Sequence, residues 1–73
     1  MSEHFTKVDG LMQNLYGKEG HRHAPEVIRE LFNIHNEVFP QTLEYSTSCS
    51  GCRARVYERV KNWWLEHGGK ANG

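Results

Sequence analysis

The stretch Pro25–Pro40, PEVIRELFNIHNEVFP, carries the clearest helical signal in the chain. Pro25 suits a first helical position, because the N–H it lacks would be unpaired there, and Glu26 favours the positive end of the helix dipole. Val27, Leu31, Ile34 and Val38 form one apolar stripe, and Ile28, Phe32, His35 and Phe39 form a second beside it. Arg29, Glu30, Asn33, Asn36 and Glu37 take the remaining side. A face that wide touches two neighbours, so the spacing predicts the central helix of a small bundle over 25–39. Pro40 ends it.

Outward from this helix, two more are expected. Phe5, Val8, Leu11, Met12 and Leu15 recur at helical spacing, giving a helix over about 3–16 with Ser2 as its cap and Gly17 as its stop. Gly10 weakens it in the middle. The polar segment KEGHRH, 18–23, reads as a link, with His21 and His23 exposed. After Pro40 the loop PQTLEYSTS holds two apolar residues, Leu43 and Tyr45, expected to lie over the core. A third helix then runs over about 49–67 and stops at Gly68 and Gly69. The expectation is an all-α three-helix bundle, with 1–67 a single helical domain and 68–73 a flexible tail.

Seventy-three residues lie near the size at which a core alone can hold a chain folded, so a metal, a disulfide or a second subunit would help. Nine basic residues balance nine acidic ones, which removes long-range attraction to nucleic acid or to an anionic membrane as an argument. Apolar runs fall far short of the roughly 20 residues that span a bilayer, and MSEHFTK lacks the apolar centre of a signal peptide. A soluble, cytoplasmic protein is expected.

Cys49 and Cys52 are the chain's only cysteines. On a helical wheel they share a face with Val56, Val60 and Trp63, with Tyr57 and Trp64 flanking it, which makes the thiols small buried core residues. A zinc site needs two further ligands. If consecutive helices alternate in direction, His4 and His35 lie at the cysteine end and His21 and His23 at the other, so the candidate set is Cys49, Cys52, His4 and His35. Its spacing follows no zinc-finger signature. No cofactor other than zinc is implied. A C-x-x-C at a helix start also suits thiol redox chemistry, but a thioredoxin-like enzyme needs a preceding strand, and no such strand is read here.

Arg53 falls inside the apolar face of the third helix. Its stem can cover the core edge while its guanidinium reaches Glu44, Glu26 or a helix end. In the sharper reading Arg53, Tyr57 and Trp64, residue types that dominate interfaces, form a partner-binding face. Arg55 and Arg59 lie on the other flank near Glu58 and Glu66, as a salt-bridged face. A helix-turn-helix is the alternative, with Arg53, Arg55 and Arg59 meeting nucleic acid, but the connection between Phe39 and Cys49 is roughly nine residues against a usual three to four. There is no Gly-rich phosphate loop and no H-E-x-x-H, so no enzyme is expected.

The segments ELFNIHNEVFP and SCSGCRARVYERVKNWW, with their F-x6-F-P helix end and S-C-x-x-C-x-x-R start, resemble small proteins encoded by tailed bacteriophages across about residues 26 to 64. The resemblance implies a small phage accessory protein in the host cytoplasm, a compact helical domain that binds a host or virion protein. The function expected is therefore non-enzymatic protein binding. DNA binding through the third helix stands behind it, and a zinc-stabilised domain or a structural homodimer comes third.

Overall fold

The computed structural model describes residues 3–15 and 24–70. Three helices follow one another, α1 (Glu3–Leu15), α2 (Pro25–Val38) and α3 (Ser50–Glu66), with no strand among the described residues. This is the all-α three-helix bundle the periodicity predicts, each boundary falling within one residue of the expected one. Ser2, Tyr16, Gly17, the link 18–23 with His21 and His23, and residues 71–73 lie outside the described residues.

Pro25 opens α2 as its chemistry requires. The carbonyl of Ala24 accepts the N–H groups of Val27 at 3.0 Å and Ile28 at 3.2 Å, and Pro25 has no donor to leave unpaired. One core is built from Val8, Leu11, Met12 and Leu15 of α1, Ile28, Leu31, Phe32 and Ile34 of α2, and Val56, Val60 and Trp64 of α3. Lys7 Nζ near the start of α1 reaches Glu37 near the end of α2 at 3.2 Å, so these two helices run in opposite directions. Phe39, just past α2, lies beside Arg59, Asn62, Trp63 and Glu66, so the later turns of α3 meet the end of α2.

Trp64 overturns its expected place. It is 0 % exposed, and its indole N–H donates to Asp9 Oδ1 of α1 at 3.0 Å. Trp63 is half-buried, stacked on His67 at 4.1 Å between ring centres and tilted against Phe5 at 6.4 Å. The reason is angular. Val60 marks the centre of the buried stripe, Trp64 lies about 40° from it and Trp63 about 60° on the other side. The stripe continues by steps of four, Val56, Val60, Trp64.

The end of α3 is also ordered further than expected. Gly68 has φ +94°, its N–H donates to Leu65 O at 3.2 Å, and the Gly69 N–H donates to Trp64 O at 2.8 Å. That pair of bonds is a Schellman stop, in which the residue after the helix takes the left-handed conformation that glycine adopts freely. Gly69 is buried against the Trp64 ring, and Lys70 O accepts from Gln13 Nε2 of α1 at 2.8 Å. Residues 68–70 are thus part of the fold, not of a tail.

Candidate functional site

The polar chemistry of the molecule gathers where the loop 39–49 crosses from α2 to α3. Asn36, on the polar side of α2, clasps the backbone of Glu44: its Nδ2 donates to Glu44 O at 3.0 Å, and its Oδ1 accepts the Glu44 N–H at 3.0 Å. The Glu44 carboxylate is taken by two arginines of α3, Arg55 through Nε and Arg59 through Nη1, each at 3.3 Å from Oε2. Its side chain is only 18 % exposed, so this double ion pair is better shielded than a surface pair.

His35 completes the network from below. It is fully buried, with Nε2 at 3.3 Å from Arg59 Nη1 and Nδ1 at 3.0 Å from Asn36 Oδ1. A guanidinium only donates, so Nε2 accepts and the ring proton sits on Nδ1, donated to Asn36. Every buried polar side-chain atom among the described residues has a partner. The result is a loop fixed at its middle residue by both helices it joins.

On either side of Glu44 the loop carries Leu43, 50 % exposed, and Tyr45, 73 % exposed. These two do not lie over the core as expected. The backbone between them is held by Asn36 at the Glu44 N–H and C=O. Sequence reading passed over this site, because Asn36 looked like the solvated side of a helix and its partner lies eight residues further on. The available signal was an apolar pair at loop positions that no helical stripe needs.

At the other end of the loop stands the thiol pair. Cys49 is the N-cap of α3 and is exposed, so it is not the buried core residue expected. Its Sγ accepts the N–H of Cys52 at 3.2 Å, as a serine oxygen does at such a position. Cys52 is half-buried against the core, and Arg55 Nη2 lies 3.6 Å from its Sγ. The hydrogen bond from the Cys52 thiol, together with the Cys52 backbone N–H, holds the Cys49 thiol below its usual range. The Cys52 thiol is pushed up, first by donating that bond and then by burial.

The expected zinc ligands do not come together. His35 is engaged by Asn36 and Arg59, and His4 Nδ1 lies 3.8 Å from Glu37. Among the described residues no three of His, Cys, Asp and Glu form a group that could hold a metal ion. The physical reason is the long loop, which lets the later turns of α3, instead of its cysteine end, meet the end of α2.

The expected partner face does not assemble either. Arg53 and Tyr57 are half-buried, Lys61 Nζ sits 5.5 Å from the Tyr57 ring centre, and Trp64 is inside. All three lie within about 60° of Val60 on the wheel, which is the core stripe and not a free face. Arg55 and Arg59, expected beside Glu58 and Glu66, instead share Glu44, while Glu58 pairs with Lys61 at 2.6 Å. An open cleft of about 240 Å³ between Phe39, Arg59, Asn62, Trp63 and Glu66 is smaller than the roughly 300 to 1,000 Å³ of a small-molecule site. No helix of the described residues is long and apolar enough to cross a membrane.

No protein-family model matches the chain, and no curated protein or solved structure does either. The functional reading therefore rests on the residues themselves.

Proposed function

We propose that this chain is a small non-enzymatic helical module that binds another protein, and that the α2–α3 loop is its recognition element, with Leu43 and Tyr45 as anchors. The observation that carries the reading is the contrast within three consecutive residues. Glu44 is tied to Asn36, Arg55 and Arg59, while Leu43 and Tyr45 beside it are half and three-quarters exposed. An apolar side chain held out on a fixed backbone loses little further freedom on docking, so more of its burial appears as affinity. Loops fixed by a rigid scaffold are where binding residues concentrate. An accessory role of this kind agrees with the bacteriophage resemblance of residues 26 to 64.

The DNA reading is weaker, because Arg55 and Arg59 are both committed to Glu44 and would have to leave it to meet phosphate. The test is to immobilise the wild-type chain and the Leu43→Ser/Tyr45→Ser variant, at matched helicity, and compare what each retains from extract of the source cells. A protein retained by the wild type and lost with the variant is expected. Equal retention by both, or none by either, would overturn the reading. Salt-sensitive retention of duplex DNA would replace it with the nucleic-acid reading, and capture of a second copy of the chain would replace it with the homodimer.

A further inference from the structure

We propose that Cys49 and Cys52 form a redox-active dithiol that exchanges with low-molecular-weight disulfides of the glutathione class, with Cys49 the attacking sulfur and Cys52 the resolving one. Three geometric observations carry it. First, Cys49 Sγ sits 3.2 Å from the backbone nitrogen of Cys52, which places the two cysteines on the same first turn of α3. A cap residue and the third residue of the following helical turn project to one side, which is the reach that a disulfide requires. Second, approach is open where it matters. Cys49 is exposed, and a methyl group added at Gly51, between the two cysteines, would meet nothing within 4 Å. Third, the charges are placed for the reaction. The Cys52 backbone N–H, in the first turn of α3, donates to Cys49 Sγ, and the Arg55 guanidinium, which also pairs with Glu44, lies 3.6 Å from the Cys52 sulfur.

These features distribute the two roles. Cys49 is exposed and its sulfur accepts the Cys52 N–H, so it is the sulfur a small disulfide reaches first and the one whose thiolate is favoured, while Cys52 is half-buried behind it. A strand and a mixed sheet are not what this chemistry itself needs. It needs an accessible thiolate, a neighbouring thiol and a helix start.

The exchange balances in two steps. Cys49 S⁻ attacks one sulfur of the small disulfide RSSR, forming a Cys49–SR bond and breaking S–S, with RS⁻ leaving and taking a proton from water. Cys52 then gives up its proton to solvent and attacks the Cys49 sulfur, forming the Cys49–Cys52 bond and expelling the second RS⁻, which is protonated in turn. Two electrons pass from the dithiol to RSSR. The products are one intramolecular disulfide and two RSH.

The test uses the full chain, reduced, freed of reductant and mixed with glutathione disulfide at neutral pH, then quenched with acid and weighed intact. Wild type is expected to lose two hydrogens and retain no glutathione. Cys52→Ser is expected to stop with one glutathione, mapped by digestion to Cys49. Cys49→Ser, whose serine keeps an oxygen at the N-cap, is expected to react at least about tenfold more slowly than Cys52→Ser. Brief alkylation of the wild type with iodoacetamide, which needs no variant, is expected to label Cys49 first. The proposal is overturned if native Cys52→Ser reacts no faster than the same variant unfolded in denaturant, if label or glutathione goes first to Cys52, or if oxidation yields only disulfide-linked dimers.

Discussion

Trp64 is the largest side chain sealed inside this fold, and its single polar atom is satisfied by Asp9 across the α1–α3 contact. Truncating a fully buried indole costs about 3–5 kcal/mol, while a chain of this length has roughly 4–11 kcal/mol of stability in total. Trp64→Ala should therefore melt far below wild type, whereas Trp63→Ala, which gives up a half-exposed stack on His67, should melt only modestly below it. Gly69→Ala provides an independent reading of the same packing, since its methyl would collide with the Trp64 ring. Overpacking of that kind costs about 1–3 kcal/mol. Thermal melts of the three variants check the assignment, and a Trp64→Ala protein as stable as wild type would return Trp64 to the surface. The neighbouring tryptophans were distinguishable in the sequence only by choosing the right centre for the stripe. Centred on Val60, the wheel selects Trp64; anchored on the cysteines at one end, it selects Trp63, because four-residue steps drift by about 40° each.

The helices were legible because each writes its apolar face into local spacing, and the boundaries followed from Pro25, Pro40 and the glycines after α3. The loop was not, because what fixes it is a side chain on α2 bonding to backbone beyond the helix, and no periodicity encodes such a contact. Asn36 contributes two bonds to Glu44 and one acceptor to His35, so it is the clasp of the whole element. Asn36→Ala leaves the buried Nδ1–H of His35 without that acceptor, and an unpaired buried group costs about 1–3 kcal/mol. The more specific outcome is local. Hydrogen exchange should accelerate at the Glu44 amide, which then has lost its acceptor, while amides in the middle of α2 and α3 keep protection in proportion to the global stability. Acceleration spread evenly over all three helices would mean that the loop is held by something other than Asn36.

At the scale of the whole molecule the three helices share one core, and a chain of this size unfolds as one unit. Ionisation at one helix start is then read in global stability. The ordinary thiol value is 9.0, and Cys49 in the fold lies below it, so the folded chain releases that proton at a lower pH than the unfolded chain does. Its contribution is present above the ordinary value and is lost as pH falls through the lowered one. Cys52 lies above the ordinary value, so its contribution is present below that value and is lost as pH rises through the raised one. The two slopes have opposite sign and meet near the ordinary thiol value. Under reducing conditions, the urea midpoint of wild type minus that of the Cys49→Ser/Cys52→Ser chain should rise with pH towards about 9 and fall beyond it, with a small amplitude because solvent screens both groups. Each single variant should leave one limb: Cys52→Ser the rising limb of Cys49, and Cys49→Ser a weakened falling limb, since Cys52 then donates to an oxygen instead of to a thiolate. A flat difference across the range would show that neither thiol titrates differently in the fold, and would leave the exposure of Cys49 as the sole ground for placing attack there.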